Sequence, residues 1–172
     1  GVDLLLRAFA RLLSSRPAAR LRIVGDGPRR SALEALAADL GIDQAVRFSG
    51  RLPFPEVEVA LSTSWALVAP SLWPEPLGLV AIEAITHGIP AIASASGGFT
   101  ETIAHAKTGY LVPTGDVHAL AECLASVAER GPMTLPSDLV QELQQRHDAG
   151  QHARMLETVF RDAIQLHGKG KN

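Results

Sequence analysis

Two acidic residues eight positions apart, Glu75 and Glu83, carry the most distinctive chemistry in the sequence. Pro76 follows Glu75, and because proline is favoured in the first turn of a helix, we expect a helix to begin there. Glu75 would lie at the amino end of this helix, and Glu83 would lie well inside it, on the order of 10 Å away. Two carboxylates with this separation could accept hydrogen bonds from hydroxyl groups at opposite ends of one ligand.

The amino end of the expected helix would supply hydrogen-bond donors between the two acids. The backbone N–H groups of Leu77, Gly78 and Leu79 would have no partner within the helix, and they would carry the positive end of its dipole. Helix ends of this kind bind phosphate groups. Because Gly78 has no Cβ, phosphate oxygens could approach the backbone closely. The segment therefore predicts a diphosphate site with an acid on either side.

Each acid also has a simpler interpretation. The stretch around Glu83 is apolar on nearly all sides, so we expect its helix to be buried. A buried carboxylate needs strong donors, and two ribose hydroxyls would fit, although a structural ion pair is the alternative. For Glu75 the alternative is a helix N-cap, a position that acidic residues fill well.

The surrounding elements predict an α/β fold with a doubly wound parallel sheet. Apolar segments at 20–25, 46–50, 66–71, 90–94 and 109–113 alternate with helical patterns, and Asp116 is expected to cap a helix over 117–130. Runs such as LVAP and AIAS are continuously apolar, which is typical of parallel strands covered on both faces. Ligands bind such sheets beyond the carboxyl ends of the strands, where glycines and acids gather here.

Composition excludes several classes of protein. The chain has 172 residues, a formal net charge of −2 and no long basic run, so nucleic acid is a poor candidate partner. Cys123 is the single cysteine, and we expect it to have a packing role. The histidines lack the spacing of metal ligands, so no metal site is predicted. In the segment from Gly25 to Arg30, an arginine replaces the third glycine of a dinucleotide fingerprint, which argues against NAD.

Six segments in order, IVGDGPRRSALEALAADLGI, VRFSGRL, EPLGLVAIEA, HGIPAIAS, GGFTETI and AKTGYLVPTGD, resemble the C-terminal donor-binding domain of retaining glycosyltransferases with the GT-B fold, the glycosyltransferase family 4 or group 1 type. The resemblance implies a Rossmann-like domain in which Glu75 binds the transferred hexose and Glu83 binds the nucleotide ribose. It also implies further contacts for Pro76, Leu77, Gly78 and Leu79 at the sugar and diphosphate, and for Arg51 and Leu52 beside the base. Gly25 and Gly27 would shape a loop near the nucleotide or form a plain tight turn, and Gly97 and Gly98 would admit substrate or form a flexible loop.

The resemblance also implies how the chain is organised. Residues 1–131 would form the nucleotide-sugar-binding domain without its first strand, and residues 132–172 would form a C-terminal helical tail with an apolar stripe. Basic residues that the family places before the first helix would precede Gly1, and the acceptor would bind a missing N-terminal domain. We therefore expect the fragment alone to be inactive.

The expected partner is a UDP-, GDP- or ADP-sugar, with neither cofactor nor metal ion. The expected location is the cytoplasm, with membrane contact only through the missing half. Two rival hypotheses are a non-catalytic nucleotide-sugar-binding module derived from such a transferase and a nucleotide-sugar epimerase on the same fold. The sequence leaves the base, the hexose and the acceptor undetermined.

Overall fold

Five parallel strands and eight helices make up the part of the chain that the computed structural model describes, residues 1–146 and 148–169. The strands are β1 (Leu21–Val24), β2 (Val46–Gly50), β3 (Leu67–Ala69), β4 (Ala91–Ser94) and β5 (Gly109–Val112). The helices are α1 (Val2–Ser15), α2 (Arg30–Asp39), α3 (Phe54–Ser62), α4 (Leu79–Thr86), α5 (Phe99–Thr102), α6 (Val117–Arg130), α7 (Ser137–Arg146) and α8 (Ala149–Lys169), and Asp43–Ala45 form a 3-10 turn before β2.

The strands pair as two sheets rather than as one continuous sheet. β1 pairs with β2, whereas β3, β4 and β5 form a second sheet with β4 at its centre, and every one of these pairs is parallel. β4 is buried along its whole length, as its continuously apolar sequence AIAS predicts. The predicted α/β fold class and parallel strands are confirmed, and the division into two sheets is a difference from the single sheet expected.

One hydrophobic core joins the two sheets. Leu6 and Phe9 of α1 pack with Leu120 of α6 and Ile92 of β4, and partly buried side chains from β1, β2 and β3 contact the same cluster. Asp116 begins α6, and its carboxylate accepts hydrogen bonds from the N–H groups of His118 and Ala119, both at 2.9 Å. The predicted cap and the predicted bounds of this helix are therefore confirmed.

A second core lies on α4, α5 and α7. Phe99 and Ile85 are completely buried there, and Leu135 and Leu143 from beyond α6 pack against them. The first part of the expected tail thus packs against the domain. α8 keeps its apolar stripe exposed, since Phe160 and Ile164 are 64% and 72% exposed.

Positions 147 and 170–172 of the expected tail lie outside the described residues. None of the described helices combines the length and apolar character needed to cross a bilayer.

Candidate functional site

The loop between β3 and α4 forms a cavity at the carboxyl end of the second sheet. The cavity has a volume of about 240 Å³. It is lined by Glu75, Pro76, Leu77, Gly78, Leu79 and Val80. All five of the residues predicted at the sugar and diphosphate, 75–79, therefore lie around one cavity, and Val80 is an additional lining residue that the sequence did not single out.

The helix at this cavity starts later than the sequence predicted. α4 begins at Leu79, and Gly78 before it adopts a left-handed conformation with φ of 74°. Pro76 therefore lies outside the helix, and the expectation that it occupies the first helical turn is wrong. The separation of about 10 Å between Glu75 and Glu83 was derived from a continuous helix starting at Pro76, and the structure does not contain that helix.

Backbone donors nevertheless point from the start of α4. Among the described residues, the N–H groups of Leu79 and Val80 have no acceptor, whereas the N–H of Ala81 donates to the carbonyl of Gly78 at 2.9 Å. The side chains of Leu79 and Val80 are 62% and 45% exposed, so this end of the helix faces solvent. Unpaired N–H groups at a solvent-facing helix start provide an anion-binding position.

Gly78 is required for packing as well as for its backbone conformation. A Cβ at this position would lie 2.5 Å from the ring of Phe99, which is completely buried. The sequence reasoning attributed the missing Cβ to close approach by a ligand, but the structure gives a different reason. The left-handed φ and the Phe99 ring both exclude a larger residue, whether or not a ligand binds.

Gly97 and Gly98 pack against the backbone of the same loop. A Cβ on Gly97 would lie 2.3 Å from the carbonyl oxygen of Glu75, and one on Gly98 would lie 2.4 Å from the Cα of Leu77. The N–H of Gly98 donates to the Glu75 carbonyl at 2.6 Å, and the Thr102 hydroxyl donates to the Leu77 carbonyl at 2.8 Å. The two glycines therefore pack against the backbone of the cavity loop, which argues against a freely flexible segment.

The carboxylate of Glu75 is held by two side-chain donors. Its Oε1 accepts hydrogen bonds from the Ser71 hydroxyl and from the indole N–H of Trp73, both at 2.9 Å. Glu75 does not cap α4, because Gly78 is the N-cap residue and no side chain caps this helix. The interpretation of Glu75 as a simple helix cap is therefore wrong, and its half-buried carboxylate stays available at the cavity.

Glu83 is half-buried rather than buried as expected. It lies in the second turn of α4, and the exposed side chains of Leu79 and Val80 show that this helix is not buried on all sides. Within the described residues its carboxylate has no hydrogen bond or ion pair, and Glu83 does not line the cavity at Glu75. Burial alone therefore does not require a ligand at Glu83.

The remaining candidates lie at the ends of β1 and β2. The N–H of Gly25 donates to the carbonyl of Gly50 at 2.7 Å, which joins the loops that follow the two strands. Gly27 has open space where a Cβ would lie, and Arg51 is exposed. Leu52 lines a different cavity, of about 210 Å³. The structure thus brings residues 75–79, Gly97 and Gly98 together, and places Leu52 away from their cavity.

Sequence reasoning missed the residues that support the cavity. Ser71 and Thr102 donate to the Glu75 carboxylate and the Leu77 carbonyl, and Phe99 packs beneath Gly78. The signal available was their position in the PSLWPEP and GGFTETI segments, directly beside the candidate residues. Across the described residues, no three His, Cys, Asp or Glu side chains are grouped so that they could hold a metal ion.

Comparisons with known proteins give consistent matches. The chain is 37% identical, over 75% of its length, to a GDP-mannose-dependent monoacylated alpha-(1-6)-phosphatidylinositol monomannoside mannosyltransferase of Corynebacterium glutamicum, and covers 35% of that protein. Its structure resembles sucrose-phosphate synthase from Thermosynechococcus elongatus, with a TM-score of 0.83 and 30% identity over 96% of this chain and 43% of the other. It also resembles the Anabaena protein HepE in complex with UDP-glucose, with a TM-score of 0.80 and 26% identity over 92% of this chain and 45% of the other.

These matches agree with the Rossmann-like fold. The chain spans less than half the length of each of these three proteins. Residues 1–151 match the family described as Glycosyl transferases group 1, so the chain belongs to this family and has the fold of the C-terminal domain of a GT-B glycosyltransferase.

Proposed function

We propose that this chain is the donor-binding domain of a retaining glycosyltransferase and that it binds a nucleoside-diphosphate sugar in the cavity at Glu75. The observation that carries the proposal is the cavity itself, which combines a held carboxylate with unpaired N–H groups at a helix start. Support comes from relatives, one named as GDP-mannose-dependent and another solved with UDP-glucose.

The cavity and Glu83, which lies outside its lining, are each suited to one part of such a donor. The N–H groups of Leu79 and Val80, at the positive end of α4, are suited to diphosphate oxygens. Oε1 of Glu75 is occupied by two donors, which leaves its second oxygen to accept hydrogen bonds from hexose hydroxyls. We assign Glu83 to the ribose hydroxyls, and its lack of a partner among the described residues is compatible with that role.

The base would lie toward the loops that follow β1 and β2. Gly25 is hydrogen-bonded to Gly50, so the loop that contains Gly27 and the start of the segment Arg51–Leu52 are fixed to one another. Arg51 is exposed, and its guanidinium would be free to stack on a base. We keep Arg51 and Leu52 as the proposed base-flanking pair.

The complete enzyme, in this proposal, needs parts beyond the described residues. Within the described part of the chain, β1 and β3 each pair on one side only, although side chains from both contact one shared core. We propose that a further parallel strand fills this position and that a separate acceptor-binding domain completes the active site. Cations from those parts, rather than a metal ion, would neutralise the leaving diphosphate. Transfer would retain the anomeric configuration.

Isothermal calorimetry on this chain tests the donor site. Wild-type protein is titrated with UDP, GDP and ADP, and then with UDP-glucose and GDP-mannose. Glu83→Ala should weaken binding of the preferred nucleotide about 10- to 100-fold, because hydrogen bonds to a charged group contribute about 1.5–3 kcal/mol. Glu75→Ala should leave the nucleotide affinity nearly unchanged and should remove the additional affinity that comes from the sugar.

Glu129→Ala provides the matched control, since Glu129 is an exposed carboxylate on α6, away from the cavity. This variant should bind like the wild type. The proposal fails if no nucleotide binds, or if Glu75→Ala and Glu83→Ala bind every ligand as the control does. Addition of EDTA should leave binding unchanged, and a loss of affinity would contradict the metal-independent part of the proposal.

A further inference from the structure

We infer that Ser71 and Trp73 are positioning residues, which act through Glu75 to set the orientation of its carboxylate for the sugar end of the donor. The inference rests on the function proposed above and adds two residues that contribute to sugar recognition without contacting the ligand. Its basis is the pair of hydrogen bonds that converge on Oε1 of Glu75.

The convergence on one oxygen determines what the other oxygen can do. Ser71 Oγ and Trp73 Nε1 both lie 2.9 Å from Oε1, and Oε2 has no partner among the described residues. A carboxylate fixed at one oxygen cannot rotate freely about its last side-chain bond. Its second oxygen, with its lone pairs unused, is thereby left to accept hydrogen bonds from a ligand in the cavity that Glu75 lines.

The backbone of Glu75 is fixed by an independent set of contacts. Its carbonyl accepts the N–H of Gly98, and Gly97 packs directly against its N and O atoms. Main chain and carboxylate are thus held by separate sets of contacts, which reduces the conformational freedom that ligand binding would otherwise have to remove. Pre-positioning of this kind favours a ligand whose hydroxyls match the presented oxygen.

The exposure of Trp73 supports a role in hydrogen bonding rather than in packing. The side chain is 58% exposed, so the indole is not an anchor of the core. Ser71, by contrast, is half-buried and lies two residues after the end of β3. Oε1 therefore accepts one hydrogen bond from an exposed side chain and one from a half-buried side chain.

The first experiment detects the hydrogen bond without any ligand. Trp65 and Trp73 are the only tryptophans in the chain, so Trp65→Phe leaves one indole N–H signal in the NMR spectrum. We expect its exchange with solvent to quicken at least about three-fold when Glu75→Ala is added, because a hydrogen-bonded donor is protected from exchange. An exchange rate that does not change would overturn the inference.

The second experiment measures the consequence for binding. The ratio of the dissociation constants for UDP and UDP-glucose, or for GDP and GDP-mannose if that nucleotide binds better, reports the affinity added by the sugar. We expect the double variant Ser71→Ala with Trp73→Phe to lower this ratio about 5- to 10-fold, with less than a two-fold change in nucleotide affinity. Ser71→Thr keeps the hydroxyl, so the double variant Ser71→Thr with Trp73→Phe should regain the part of the ratio that is lost through Ser71→Ala.

A double-mutant cycle separates positioning from direct contact. If Ser71 and Trp73 act through Glu75, their substitution in a Glu75→Ala background should change the ratio less than two-fold. The same loss in both backgrounds would mean that Trp73 contacts the ligand itself, and would overturn the inference. An unchanged ratio in the double variant would also overturn it while leaving the proposed function intact. Absence of all nucleotide binding would overturn the proposed function, and this inference with it.

Discussion

Substitution of Gly98 by alanine is a sharp test of how the cavity loop is supported. Gly98 has φ of −58° and ψ of −19°, which any residue can adopt, so the substitution introduces no backbone strain. Its effect comes only from the new Cβ, which would lie 2.4 Å from the Cα of Leu77 and 2.7 Å from its N and C atoms. The conflict is with the main chain, which cannot rotate away as a side chain can.

The size of the effect follows from these distances. A contact at 2.4 Å is about 1 Å shorter than the 3.4 Å at which ordinary contact begins, so the Leu77 backbone must move by about that amount. Overpacking of this kind costs about 1–3 kcal/mol. The movement also strains the hydrogen bonds to the Glu75 and Leu77 carbonyls, each of which contributes about 1 kcal/mol. We therefore expect a loss of about 2–4 kcal/mol in the free energy of unfolding.

Chemical denaturation of the wild type and Gly98→Ala measures this loss directly. Gly27→Ala is the matched control, because nothing lies within 4 Å of a Cβ at that position and Gly27 is not among the positive-φ glycines. The control should change the free energy of unfolding by less than about 0.5 kcal/mol. If Gly98→Ala were as stable as this control, the packing of Gly98 against Leu77 would not support the loop, and the argument would be refuted.

Two further predictions concern α6. Asp116→Ala should lower the free energy of unfolding by about 1 kcal/mol, because it removes the acceptor of the His118 and Ala119 N–H groups. Asp116→Asn should retain most of the stability, and equal losses in the two variants would argue against capping. Burial raises the pKa of the Cys123 thiol to about 11, so the thiol stays protonated at pH 8. Iodoacetamide should therefore label the native chain far more slowly than the denatured chain, and equal labelling rates would contradict this.

The sequence was sufficient to predict the elements whose signals are local. Apolar runs such as AIAS identified the buried strand β4, and Asp116 identified the start of α6. It also placed residues 75–79 at one position, because they are contiguous and follow a strand of a parallel sheet. These successes depend on patterns that lie within a few residues of one another along the chain.

The errors at the cavity have a common cause. Pro76 was assigned to a helix because proline favours the first turn. Gly78, however, adopts a left-handed conformation that a helix cannot include, and α4 begins only after it. That conformation is packed against Phe99, which lies 21 positions further along the sequence. Local preference could not reveal this contact, and tertiary packing determined the outcome.

The same long-range contacts explain why the cavity depends on two loops. β3 and β4 are neighbouring parallel strands, so the loops that follow them meet at one edge of the sheet. Gly97 and Gly98 of the loop after β4, together with Thr102 of α5, hold the loop after β3 that carries Glu75. A substitution in the supporting loop should therefore displace Glu75 and the N–H groups of α4 together, whereas a substitution at Ser71 or Trp73 should alter the carboxylate alone. Nucleotide affinity and sugar recognition should accordingly be lost together in the first case and separately in the second.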